Sequence, residues 1–266
     1  MASYFGSEFL FGGVSSVKYD IRFYEIDSSN STTTGKGGVQ GVISSDVIFR
    51  KSKTRFYTLS TNTPLEIDIQ VGCGSPVNRQ QESLIKSWLM GARNYKKLQP
   101  VQSDMQSYYY NCIITDCVNN YVGNVLYGFT FHAVCDAPYG WEEAKTLTKN
   151  YVAGANNDVF NFYNASADND YLWPSFNFTL NGTGTGLTIT NGSESNRQTI
   201  FTGLSYNEII TADCDNEILT SSTGLNRFPN FNFTFLRLIP GMNTLTLNGG
   251  ISQFQLITQF ARVIGG

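Results

Sequence analysis

Apolar and polar positions alternate through most of the chain. In "EFLFGGVSSVKYDIRFYEID", Tyr19, Ile21 and Phe23 alternate with Asp20 and Arg22 after the glycine pair Gly12 and Gly13, predicting a turn and then a half-buried strand. "DVIFRKSKTRFYTLST" and "PLEIDIQVGC" read as further strands. Tyr108, Tyr110, Cys112 and Ile114 occupy every second position, as do Val125, Tyr127, Phe129, Phe131, Ala133 and Cys135. These are expected to be two long paired strands with an aromatic inner face, leaving His132 on the polar side. Between Ser28 and Gly41, "SSNSTTTGKGGVQG" is small, polar and glycine-rich. It reads as a mobile loop or an arm that orders against a partner.

One segment departs from period two. In "SPVNRQQESLIKSWLMG", Asn78 and Gln81 have capping-box spacing, and Leu84, Ile85, Trp88 and Leu89 share a helical face. The expectation is one amphipathic helix from Asn78 to Met90 covering a sheet, ended by Gly91 in the left-handed conformation. Trp88 is then core rather than part of a cofactor site.

After "DAPYGWEEAK" the pattern becomes a series of short strands with turns between them: "SFNFTLNG", "GLTITNG", "RQTIFTGL", "NEIITADCDN" and "ISQFQLITQFARV". "FPNFNFTFLRLIPGMNTLTLNG" belongs to the same series. Phe231, Phe233 and Phe235 predict a strand that reverses at Pro240 and Gly241 into Leu245 and Leu247. "GTGTG" at Gly182–Gly186 reads as a hairpin loop. This spacing describes a β-sandwich of jelly-roll or galectin-like kind. The fold class is therefore mainly β with one short helix, in two domains over 1–149 and 150–266.

Composition narrows the function. Charged residues make up 15% of the chain, below the usual share of about 25%, so the surface is rich in Asn, Ser, Thr, Gly and Tyr. A net charge of −3 adds little colloidal repulsion, which suits a protein that assembles. The sequence pI of about 5.2 and the lack of a Lys/Arg stripe leave no footprint for nucleic-acid phosphates. No apolar run is long enough to insert in a membrane, and "FLFGGV" is too short for a signal core, so cytosolic synthesis is expected. Cys73, Cys112, Cys117, Cys135 and Cys214 are odd in number and lack zinc-like spacing, and read as buried thiols. Sequons at Asn30, Asn164, Asn177, Asn181, Asn191 and Asn232 reflect Asn/Thr-rich strands and turns rather than glycosylation.

Candidate chemistry is sparse. His132 is the single histidine and has no carboxylate near it in sequence, so a catalytic triad or Cys/His pair is poorly supported. Glu142 with Glu143, or Asp213 with Asp215, would be the carboxylates of a glycosidase, and read more simply as turn residues. Asp168 and Asp170 lack the full spacing of a calcium loop. No metal or cofactor site is expected, and the protein is not expected to be an enzyme.

The order of these pieces carries a resemblance. "FLFGGVSSVKYDIRF", the glycine-rich arm, a lone helix ending "SWLMG" before "YKKLQP", "SYYYNCIITD" and "GFTFHAVCDAPYGW" together resemble the N-terminal ring domain of siphophage distal tail proteins. "NEIITADCDNEILTSSTGLN" and "LIPGMNTLTLNG" resemble elements of their galectin-like domain. "FGG" stands where many relatives carry an asparagine before the glycine. The resemblance implies a structural virion protein at the phage tail tip, assembled in the host cytoplasm. It implies a hexameric ring that joins the tail tube protein to the hub of the baseplate, with outward sandwich domains anchoring receptor-binding proteins. On this reading the assembly arm includes Ser28, Gly35, Lys36, Gly37, Gly38 and Gly41. A different class of function remains beside it: a carbohydrate-binding module recognising a host-surface glycan through Trp173, Asn177 and Asn232.

Overall fold

The structure is a computed structural model that describes residues 8–23, 33–46, 55–91, 93–103, 105–152, 154–168, 170–181 and 185–263. Ser28 and Asn30 lie outside the described residues, as do 47–54 and 182–184. The chain forms two compact units, one running to Glu142 and taking in Arg262, the other spanning Glu143–Ala261.

The first unit contains β1 (Phe9–Phe11), β2 (Val14–Ser15), β3 (Ile21–Phe23), β4 (Thr33–Asp46) and β5 (Arg55–Cys73), then the helix α1 (Arg79–Met90). After it come β6 (Lys96–Pro100), β7 (Tyr108–Val122), β8 (Val125–Cys135) and β9 (Gly140–Glu142). The main sheet is antiparallel, in the order β2-β1-β6-β7-β8-β5-β3, with β4 also on β5 and β9 on β7. Gly12 and Gly13 make the β1–β2 turn with φ of +59° and +79°, the left-handed values that the glycine pair predicts. Phe9, Phe11, Ile69, Tyr110, Phe129 and Phe131 are fully buried on the inner face.

The helix is capped as its sequence foretells. Asn78 Oδ1 accepts from Gln81 N at 2.9 Å, and Gln81 Oε1 accepts from Asn78 N at 3.1 Å. Ile85 and Leu89 are buried in the core, and Trp88 stacks on Tyr19 at 4.7 Å while donating to Phe11 O. Two details differ from expectation. Leu84 is 54% exposed, one position outside the buried stripe. Gly91 has φ −72°, right-handed, because its N–H continues the ladder to Ser87 O at 3.0 Å.

The segment expected as a loop is also different. From Thr33 it is β4, paired residue by residue with β5 from Thr33↔Ile69 to Asp46↔Arg55. Small and glycine residues have weak strand propensity of their own, so the ladder to β5 decides the conformation. The register shifts between Lys36 and Gly38, where Gly37 faces Pro64 and Leu65. A bulge there places Pro64, which has no N–H to offer, where no ladder bond is required.

The second unit contains β10 (Lys145–Asn150), β11 (Ala155–Asn164), β12 (Ser175–Leu180), β13 (Leu187–Asn191), β14 (Arg197–Phe201), β15 (Ile209–Asp213) and β16 (Ile218–Ser221). It ends with β17 (Gly241–Gly249), β18 (Ile251–Thr258) and the start of β19 (Ala261–Arg262). Two antiparallel sheets, β10-β18-β12-β15-β16 and β11-β17-β13-β14, enclose one core. Phe178 of one sheet meets Phe201 of the other at 5.2 Å. This is the expected β-sandwich. The strands that flank "GTGTG", β12 and β13, lie in different sheets and so do not pair as the hairpin that the sequence suggests.

The phenylalanine ladder is not a strand. Phe228–Asn230 is a short 3-10 turn, and Phe231 and Phe235 are buried. Phe233 is 68% exposed with φ +55°, a conformation that breaks period two. Pro240 and Gly241 do turn the chain, with Gly241 at φ +85°, but β17 pairs with β11 and β13 rather than folding back on the phenylalanines.

Candidate functional site

The β4–β5 hairpin of the first unit has an unpaired edge among the described residues. β5 is anchored at its C-terminal end, where Glu66–Gly72 pair with β8 and Val71–Cys73 with β3. Its N-terminal half, from Arg55 to Thr63, pairs with β4 alone among the described residues. The other edge of β4, fourteen residues long, pairs with no strand among the described residues. Such an edge presents a row of main-chain donors and acceptors that another strand can complete. Gly35, Lys36, Gly37, Gly38 and Gly41 all lie in β4.

The root of the hairpin carries the single histidine. His132 on β8 faces Asp68 on β5, with Nδ1 2.6 Å from Asp68 Oδ1 and Nε2 3.7 Å from Glu66 Oε2. Sequence reasoning found no carboxylate for His132 because these lie 64 residues away in the case of Asp68 and only strand register brings them together. At the β7–β8 turn, Tyr121 and Val122 are 58% and 70% exposed, forming an apolar tip.

The candidate glycan contacts are scattered through the sandwich. Asn177 is on the outer face of β12, where its amide donates to Gln255 Oε1 at 3.0 Å. Asn232 is bound to β14 of the opposite sheet: its Oδ1 accepts from Ile200 N and its Nδ2 donates to Gln198 O. The two therefore do not share a face. Trp173 packs against the core, and the neighbouring Tyr171 is covered by the Arg237 guanidinium at 3.9 Å, which Glu194 holds. The sequon residues Asn164 and Asn191 are buried; Asn164 donates to Leu238 O, and Asn191 to Asn243 Oδ1.

The carboxylates hold local structure. Glu142 is buried and accepts from Arg262 Nη2 at 2.6 Å, whereas Glu143 is exposed, so they do not flank one site. Asp213 caps its own turn through Asp215 N and Asn216 N. Asp168 Oδ1 accepts from Asp170 N. Among the described residues no group of three or more His, Cys, Asp or Glu could hold a metal ion, and no helix is long and apolar enough to cross a membrane.

One buried ion pair was invisible in the sequence. Arg227 donates to both oxygens of Glu208, each at 2.7 Å, and Ser221 and Ser205 N complete the carboxylate. Burial alone would raise the Glu208 carboxyl, but these hydrogen bonds, led by Arg227, lower it from 4.5 to about 2. It pins the 205–208 and 221–227 loops together.

Fold and surface together define a two-unit antiparallel β protein with a long unpaired strand edge among the described residues. The chain belongs to a phage tail protein family: residues 5–137 match the phage tail protein N-terminal domain and residues 139–257 the phage tail C-terminal domain. No curated protein matches it in sequence. Among solved structures it is similar to the Dit protein of phage SPP1, described as a paradigm of the hub adsorption apparatus in phages that infect Gram-positive bacteria. That likeness has 12% identity and a TM-score of 0.70, covering 95% of this chain and 98% of the other. A chain of the phage p2 baseplate in its activated conformation is similar at 12% identity and a TM-score of 0.54, covering 95% and 97%. The protein is a structural component of a phage tail.

Proposed function

We propose that this protein is the distal tail ring adaptor of its virion, with copies of the first unit closing into a hexameric ring between the tail tube and the tail-tip hub. The observation that carries this reading is that, among the described residues, the long edge of β4 is unpaired on a hairpin anchored at its root. A neighbouring copy that adds a strand there satisfies backbone groups left open in the lone chain, and a repeated head-to-tail contact closes into a ring. The β4 residues Gly35, Lys36, Gly37, Gly38 and Gly41, with Ser28 just before the strand, are the assembly arm. The sandwich units are the platform for receptor-binding proteins, and the low charge of the chain suits extended contacts between copies. Assembly takes place in the host cytoplasm and the product resides at the virion tail tip. Likeness to the SPP1 hub protein and to the p2 baseplate supports this placement.

The test is native mass measurement of the full chain over a range of concentrations, alone and with the tube and hub proteins. A six-copy species is expected. Joining Gln40 to Thr61, which are register partners, through an Asn-Gly turn shortens the hairpin without touching its anchored root. This variant is expected to stay folded and monomeric. A wild-type chain that remains monomeric with both partners present, or a shortened chain that still forms the ring, overturns the proposal.

A further inference from the structure

Two of the five cysteines face each other across a strand pair. Cys112 on β7 is the register partner of Cys135 on β8, and both are buried on the core side of the sheet. The adjacent pair is the hydrogen-bonded one, since Asp136 N donates to Asn111 O at 2.9 Å. Cys112 and Cys135 therefore occupy a non-hydrogen-bonded site, where opposed Cα atoms stand about 4.5 Å apart and side chains approach most closely. That separation lies within the range that a disulfide spans. No other cysteines are partners among the described residues: Cys73 faces Ile21, Cys117 faces Phe131, and Cys214 lies in the other unit.

We propose that Cys112 and Cys135 are a disulfide cross-linking site, free as thiols in this structure and joined on exposure to a small peroxide oxidant. The thiolate of one cysteine attacks hydrogen peroxide, giving a sulfenic acid and hydroxide. The second cysteine then attacks that sulfur, its sulfur–sulfur bond forming as water leaves. Two thiols and one peroxide thus become one disulfide and two waters. Burial governs the rate, because it pushes the Cys135 thiol up to about 12 and Cys112 well above its ordinary value, leaving little thiolate. The step then requires breathing of the β7–β8 hairpin, so the reducing cytosol keeps the pair open and prolonged oxidising exposure closes it. The geometry of the pair is independent of the ring proposal; only the occasion for oxidation, release of a virion, draws on it.

The experiment exposes the full-length protein to hydrogen peroxide for increasing times, denatures it in an alkylating agent and maps the peptides by mass. The expected product has lost two hydrogens, links the Cys112 and Cys135 peptides, and carries alkylated Cys73, Cys117 and Cys214. Reductant restores all five thiols. A Cys112→Ala variant is expected to form no link. The proposal is overturned if all five cysteines alkylate after exposure, if Cys112 or Cys135 advances to sulfinic acid without linking, or if another pair forms instead.

Discussion

At the scale of single residues, the sandwich depends on a charge that the sequence hides. Glu208 is fully enclosed and its carboxylate is met by Arg227, Ser221 and Ser205. A carboxyl held near 2 in the fold and 4.5 when unfolded corresponds to roughly 3 kcal/mol of stabilisation. The folded value is the depressed one, so this contribution is complete above pH 4.5 and is lost as pH falls toward 2. Urea titrations of the wild-type chain are expected to show the loss across that window, while Glu208→Gln flattens it. At neutral pH Glu208→Ala is expected to cost about 3–5 kcal/mol, because it strands Arg227 without its partner. Equal midpoints for the two proteins at pH 7 would show that the pair holds nothing. Nothing in the residues near Glu208 signals this role, since Arg227 is nineteen positions away and only loop packing joins them.

At the scale of elements, the phenylalanine segment marks where period two misleads. Alternation at Phe231, Phe233 and Phe235 reads as a strand with one buried face, and two of the three are indeed buried. Asn232 decides otherwise: its side chain takes Ile200 N and Gln198 O, bonds that a neighbouring strand backbone would otherwise make. Phe233 is then forced to φ +55° and outward. Phe231→Ala is therefore expected to destabilise by about 3–5 kcal/mol, whereas Phe233→Gly is expected to be neutral or to stabilise by up to about 1 kcal/mol. Thermal melts of the two variants check this, and equal destabilisation would restore the strand reading. The helix is the opposite case, since the Asn78–Gln81 cap and the Ile85/Leu89 stripe are local signals and both act as written. β4 lies between them: its composition argues for a loop, and a ladder of partners on β5 makes it a strand.

At the scale of the whole molecule, the ring proposal has a consequence for backbone exchange. The amides on the open edge of β4 have no strand partner among the described residues, so they are expected to exchange fast in dilute protein. On assembly they are expected to slow at least tenfold, while the buried strands β12 and β18 keep their rates. Hydrogen exchange followed by mass spectrometry at low and high concentration checks this, and unchanged β4 rates in a verified ring would place the contact elsewhere. The amino-acid sequence by itself determined the β class, the single capped helix, the Gly12–Gly13 and Pro240–Gly241 turns and the sandwich character of the second half. All of these rest on interactions between residues a few positions apart, which periodicity and backbone preference express directly. Only the tertiary structure decided that β12 and β13 part into different sheets, that Thr33–Asp46 is a strand, and that His132 meets Asp68 and Cys112 meets Cys135. Those outcomes depend on register between strands separated by long stretches of chain, and register is chosen by the summed hydrogen bonds and core packing of the whole sheet.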